Sequence, residues 1–153
     1  MTQVFSPTAR FGMAMRFAVT IGGFNLGSWA KCSGLSVEFK NKKVTEGGNY
    51  DYPIYLPDKV EYKTIQLKRA ISAKESAQLK LYLSSVVSKW YKATSPADYS
   101  DTAQIYLYDH EGKQVMTWEL DHVYPARWSG PDLDATNKNI AIETLELVHQ
   151  GFL

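Results

Sequence analysis

The stretch Tyr124–Gly151 reads YPARWSGPDLDATNKNIAIETLELVHQG and divides into two halves of opposite character. Pro125, Gly130, Pro131, Asp132, Asp134, Asn137 and Asn139 crowd the first half. Proline fixes φ and removes a donor, and Asp and Asn side chains bond local backbone, so Tyr124–Asn139 is expected to be a specified loop. Ile140–His149 is apolar and rich in β-formers up to the break at Gly151, which predicts a long strand. Ile140 and Ile142 share one parity and Leu145 and Leu147 the other. Because a one-residue slip flips every side chain, either a bulge lies near Glu143-Thr144 or both faces are covered. A chain whose best-formed strand comes last uses that strand to close a sheet.

Upstream, Met13, Met15, Phe17, Val19 and Ile21 alternate with smaller or polar residues, the period of a half-buried strand. Gly22-Gly23 turns the chain into a second strand over Leu26–Lys31, and Leu35, Val37 and Phe39 alternate through a third. Tyr62–Ile71 predicts another strand, with Ile65, Leu67 and Arg69 on one face. Ser72-x-x-Glu75 has the spacing of a capping box, in which each side chain takes the other residue's backbone N–H. The helix after it is expected to reach Trp90, with Leu79, Tyr82, Leu83, Val86, Val87 and Trp90 forming one apolar stripe. Lys92–Asp101 reads as a loop. Ile105–His110 and Val115–Tyr124 read as a hairpin across Glu111-Gly112, with Met116, Trp118, Leu120 and His122 facing in. These elements predict a mainly β fold with one helix: an antiparallel β-sandwich or partly open barrel packed by that helix. The 153 residues suit one domain, with residues 1–12 a flexible arm.

Asn41–Asp58, NKKVTEGGNYDYPIYLPD, fits neither core nor linker. Gly47, Gly48, Pro53 and Pro57 oppose a regular core element, while Tyr50, Tyr52 and Tyr55 gain by burial. An extended arm lying on a neighbouring copy reconciles the two. The bulk numbers leave room for such a life. Seventeen Lys and Arg against sixteen Asp and Glu give a net charge of +1, which makes no general case for nucleic acid or membrane. Near-zero charge is a solubility liability that an assembly tolerates. The aromatic content of 13% suits β structure or an adhesive surface.

No catalytic, metal or cofactor site is expected. His110, His122 and His149 lack ligand spacing, and Cys32, the single cysteine, reads as a small buried hydrophobe. Glu46-Gly47-Gly48-Asn49 has no Lys-Ser/Thr and no following helix, so it is no phosphate loop. Gly-x-Ser-x-Gly is missing. Lys40, Lys42 and Lys43 read as a solvated strand end. No apolar run is long enough for a spanning helix, and Met1–Met15 lacks the layout of a signal peptide, so synthesis in a cytoplasm is expected, with no membrane insertion by this chain.

Several motifs in a fixed order carry a resemblance. They are Arg16-Phe17-x-Val19-x-Ile21-x-Gly23, Cys32-Ser33-Gly34-Leu35, Glu46-Gly47-Gly48-Asn49, Leu56-Pro57 and Leu67-Lys68-Arg69. Trp128-Ser129-Gly130-Pro131-Asp132-Leu133, Asn139–Leu147 and His149-Gln150-Gly151 follow. Over residues 14–151 the chain resembles the tail-tube family of contractile-tailed phages and extracellular contractile injection systems. The resemblance implies a structural subunit whose strands are shared around a hexameric ring. Such rings stack into a tube that sheath contraction drives through an envelope. It implies as partners further copies of the chain, a sheath protein, and baseplate or spike proteins, with protein cargo or DNA in the lumen. Polar positions on the shared strands, Ser36, Glu38, Lys40, Thr117, Glu119 and Asp121, are then expected to line that lumen. Lys43, Glu46, Gly47, Gly48, Asn49, Tyr50, Tyr52 and Tyr55 of the arm are expected to meet a neighbour. A tube initiator seated on the baseplate shares the same motifs. A stand-alone sugar-binding sandwich is the alternative from another class.

Overall fold

A computed structural model describes residues 11–13, 16–45, 47–48, 52–95 and 100–153. In chain order the elements are β1 (Phe17–Ile21), β2 (Phe24–Ser28), β3 (Lys31–Ser33), β4 (Val37–Val44), β5 (Ile54–Tyr62), β6 (Ile65–Ala70), α1 (Ala73–Lys92), β7 (Asp101–Tyr108), β8 (Gln114–Ser129) and β9 (Ile142–Val148). Seven strands form one antiparallel sheet in the order β2-β1-β7-β8-β9-β6-β3, and β4 and β5 form a separate two-stranded ribbon. Met15 lies outside the described residues.

The long strand β8 is the pivot. Gln114–Val123 pairs with β7, and Tyr124–Ser129 pairs with β9. The strand therefore runs through Tyr124–Ser129, where a loop was expected. Pro125 is tolerated because it sits at an irregularity: Pro125 and Arg127 face the adjacent residues Leu147 and Glu146, leaving Ala126 unpaired. A second bulge lies upstream. Leu120 faces Ala103 and Val123 faces Asp101, so β8 carries one extra residue there, with His122 at φ 49°. The extra residue flips parity. Leu120 and Val123 both point into the core, and His122, expected inside, is exposed. Met116, also expected inside, is about half exposed beyond the end of the core.

No bulge interrupts β9. Its pairing with β6 is unbroken from Ile142↔Ala70 to Leu147↔Ile65. Glu143, Leu145, Leu147 and His149 face in, so the inward parity simply includes a carboxylate. Ile140 and Ile142 lie on the outside and remain exposed, so the second face is not covered within this chain.

The two edge strands β2 and β3 are joined by Trp29 and Ala30 alone. Two residues span only a few ångströms, so the sheet must bend until its edges lie close together. No ladder joins them, and the sheet stays open. Arg69 of β6 bridges the gap. Its Nη1 donates to the carbonyls of Leu26 and Ser28 on β2, the latter at 3.3 Å. Its Nε meets Glu143 Oε1 at 2.7 Å, its Nη2 donates to the Glu75 carbonyl at 3.0 Å, and its guanidinium lies 3.9 Å over the Trp29 ring. Ser76 Oγ at 2.8 Å and Trp128 Nε1 at 3.4 Å also donate to Glu143.

This cluster alters the cap of α1. Ser72 Oγ accepts the Glu75 N–H at 3.4 Å, as the spacing predicts. The reciprocal half of the box is absent, because the Glu75 carboxylate turns to Arg69 at 3.3 Å. Ser76 Oγ accepts the Ser72 N–H instead, at 3.1 Å. A charge-assisted bond outcompetes a neutral one. Gly27, at φ 75°, lets that carboxylate approach, since a Cβ there would meet Glu75 Cδ at 2.9 Å. The buried stripe of α1 is narrower than expected. Leu79, Tyr82 and Val86 are buried and Leu83 partly so, while Val87 and Trp90 are exposed.

Three measurements check this account. Leu79→Ala should cost roughly 2–5 kcal/mol in urea unfolding, and the half-buried Leu83→Ala roughly half as much. Glu143→Ala should cost roughly 3–5 kcal/mol by stranding Arg69, while Arg69→Met with Glu143→Leu should lose less than the two single changes added together. His149 gives a pH test. Burial holds its imidazole below the usual histidine range. The unfolded chain takes up that proton near pH 6.5 and the folded chain does so at lower pH, so melting temperature should fall as pH drops from about 6.5 towards 5. His149→Gln should flatten this slope.

Candidate functional site

Two surfaces gather the residues singled out from the sequence. The first is the ribbon β4–β5. Pairing runs from Val37↔Tyr62 to Val44↔Ile54 with one register shift after Phe39, so the stretch expected as an extended arm is, in its described part, a two-stranded ribbon outside the core sheet. Its prolines do not prevent the ladder: Pro53 precedes β5, and Pro57 faces Asn41 beside an irregularity where β5 carries one extra residue. Gly48 turns at φ 94° near the tip. Near its base the ribbon has two unlike faces. Val37, Phe39, Val60 and Tyr62 occupy one, and Glu38, Lys40 and Glu61 the other.

The C-terminal residues anchor the root. Tyr62 meets the rings of His149 and Phe152 edge-on at 5.4 and 5.1 Å. His149 Nε2 donates to the Lys63 carbonyl at 3.0 Å. A Cβ on Gly151 would meet the Tyr62 ring at 2.9 Å, which explains a glycine there. Beyond the root both faces are bare. Phe39, read from its alternation as a core residue, is 64% exposed, because β4 leaves the body after Val37 and pairs only with β5. Tyr52, Tyr55, Leu56 and Val60 are likewise exposed. Lys43 pairs directly with Tyr55. Glu46, Asn49 and Tyr50 lie outside the described residues, and Gly47 and Gly48 lie in the turn.

On the charged face Glu38 and Glu61 oppose each other, an arrangement that would be repulsive alone. Lys40 relieves it, with its ammonium 2.7 Å from Glu38 and 3.8 Å from Glu61. The hydrogen bond and charge of Lys40 hold the Glu38 carboxyl below its usual range, and Glu38 raises Lys40 in return. Ser36 is half-buried in the connection before β4, where its carbonyl accepts the Lys63 N–H at 3.4 Å.

The second surface is the outer face of β1, β7 and β8. Glu119 faces Gln104, which faces Thr20, and Thr117 faces Tyr106, which faces Ala18. Thr20 Oγ1 donates to Gln104 Oε1 at 2.8 Å. Asp121 stands exposed at the end of this face, its backbone bridged to Gly151. The six expected lumen positions thus fall into two groups: Glu38 and Lys40, with Ser36 beside them, at the ribbon, and Thr117, Glu119 and Asp121 on the sheet. Thr20 and Gln104 complete the second group. Their parity on β1 and β7 was the available signal, but the order of the strands was needed to use it.

Among the described residues no three His, Cys, Asp or Glu side chains are placed to hold a metal ion. Burial pushes the Cys32 thiol up to about 11, so it stays protonated at neutral pH. No helix among the described residues is long and apolar enough to cross a membrane.

No curated protein matches the chain significantly. Among solved structures, it is 25% identical to a chain of the six-fold-symmetrised baseplate of the anti-feeding prophage, over 94% of this chain and 95% of that one, with a TM-score of 0.72. It shares its fold with a chain of the extended sheath–tube complex of the extracellular contractile injection system PVC, at 18% identity over 91% and 87% of the two chains and a TM-score of 0.69. It shares it also with a chain of the extended PVC sheath/tube terminator, at 18% identity, 99% and 96% coverage and a TM-score of 0.66. Residues 13–153 match the profile of the T4-like virus tail tube protein gp19. The chain belongs to that family of structural tail-tube proteins, components of phage tails and tail-like particles.

Proposed function

We propose that the chain is the repeating subunit of the inner tube of a contractile particle, built from stacked hexameric rings. The observation that carries this is the ribbon. A two-stranded ribbon alone is marginal in water, and this one leaves Phe39, Tyr52, Tyr55, Leu56 and Val60 exposed. A neighbouring copy supplies what the ribbon lacks. The heterologous contact closes into a ring where rotation allows and continues as a stack where it does not. Sharing strands around a ring also removes the free edges of β2, β3 and the ribbon. The polar row Thr20, Gln104 and Glu119 and the paired charges of Glu38, Lys40 and Glu61 suit a wet lumen wall, along which protein or DNA slides without sticking. Sheath and baseplate proteins are the other partners.

The tube-initiating ring is the second reading, favoured by the likeness to a baseplate chain. Negative-stain imaging of the purified chain separates the two, because a repeating subunit stacks on itself and an initiator stops at single rings. Replacing Lys43–Tyr52 by a short Gly-Ser bridge should leave the melting temperature within a few degrees and abolish rings and stacks. A shortened chain that still polymerises normally moves the interface away from the ribbon tip.

A further inference from the structure

The ribbon joins the body through two short legs. One is Gly34–Ser36, ahead of β4, and the other is Lys63-Thr64, between β5 and β6. The legs touch where they cross: Gly34 takes φ 98°, and a Cβ there would collide with the Thr64 carbonyl. Just beyond, the Lys63 N–H reaches the Ser36 carbonyl at 3.4 Å, the long end of the hydrogen-bond range. Two thin legs meeting at a glycine make a hinge, and its angle is fixed from the body by His149. The imidazole is buried at the root, with ring centroids 5.4 Å from Tyr62 of β5 and 6.0 Å from Phe152. Its Nε2 donates to the Lys63 carbonyl on one leg at 3.0 Å. Nδ1 therefore carries the free lone pair of the neutral ring, and it is buried with no hydrogen-bond partner.

A second proton on Nδ1 puts a full charge inside this cage of rings. The titratable groups around it are the Tyr62 phenol, Lys63, whose charge acts on Glu38 of the ribbon, and exposed Asp121 of β8, whose backbone bridges Gly151. Among the described residues no carboxylate lies within ion-pair distance of His149. Burial outweighs the pull of the Lys63 and Gly151 carbonyls and holds the imidazole below the usual histidine range. The charged ring is thus better placed in water than at the root.

We propose that His149 is a proton-operated latch: neutral, it pins the ribbon root to the body, and protonated, it leaves Tyr62 and Phe152 and frees the ribbon to swing about Gly34 and Thr64. The latch works within one chain, so it stands whether that chain repeats along a tube or starts one. The released root holds one more proton than the latched root. Release is therefore absent above about pH 6.5 and grows as pH falls below it. The pairs from Ile142↔Ala70 to Leu147↔Ile65 lie inward of the latch and stay closed. A ribbon cut loose from the body is a two-stranded hairpin alone, which frays in water.

Hydrogen exchange of the full chain, diluted until unassembled and corrected for the intrinsic rate at each pH, reads the latch. Between pH 7 and pH 5 the protection of β4, β5 and Lys63 amides should fall at least about threefold, and by no more than about tenfold per pH unit, the slope of one proton. Leu67 and Leu145 amides should keep their protection. The ring signal of His149 in NMR should titrate with the same midpoint as the ribbon. His149→Gln keeps a donor for the Lys63 carbonyl but takes no proton, so its ribbon protection should hold constant across the range. Ribbon and core losing protection together would mean that acid unfolds the whole chain, and overturns the latch. Ribbon protection unchanged down to pH 5 overturns it too. So does a His149→Gln chain whose ribbon still loosens in acid, or a His149 midpoint that differs from the ribbon's.

Discussion

Everything in this fold leans on one buried guanidinium. Arg69 ties β6 to β9 through Glu143, to β2 through two carbonyls, and to α1 through Glu75. Without such a tie the open edge of β2 would have nothing to hold it near β6, since no ladder connects β2 and β3. A buried ion pair is a poor source of net stability against an apolar isostere. Its value here is geometric: a planar fork with several donors can satisfy three elements at once, and only one arrangement of those elements satisfies it. The same cluster holds Ser76 and Trp128 through Glu143, and these three residues line an apolar groove of about 410 Å³ beside α1, so the fold's closure and its outward surface share atoms.

The charged and apolar halves of the molecule are separated by strand parity. On β6 and β9 one parity enters the core and the other carries Gln66, Lys68, Thr144 and Glu146, with Gln66 Nε2 donating to Glu146 at 3.1 Å. On the ribbon the same alternation yields an aromatic face and a charged face, but no core lies beneath the aromatic one. A strand pattern states that one face is buried. It does not state by what.

That limit explains what the sequence disclosed and what it withheld. The helix, its Ser72 cap and the inward Ile65, Leu67 and Arg69 were legible, because periodicity and capping are local. Glu143 looked like an interruption of an apolar run, and only its partner across β6 makes it a core residue. The bulges at His122 and Ala126 carried no local signal, and Pro125 pointed to a loop where a pivoting strand passes. Phe39 shows the ambiguity most clearly: Leu35, Val37 and Phe39 alternate evenly, yet the chain leaves its own body between the second and the third. Ser36, Glu38, Lys40, Thr117, Glu119 and Asp121 were grouped by polar parity alone, and their division between ribbon and sheet required the strand order.

The place of β9 in the sheet also bears on biosynthesis. It is the last strand in chain order, yet it lies between β8 and β6, with Glu143 and its partner Arg69 74 residues apart. Until it inserts, β6 and β8 each present a naked edge, Arg69 lacks its carboxylate, and the root of the ribbon lacks the His149 and Phe152 clamp. A chain whose β9 has not yet emerged from the ribosome therefore has neither a complete sheet nor an anchored ribbon. Folding of the whole sheet thus waits on β9, the strand that joins its two halves.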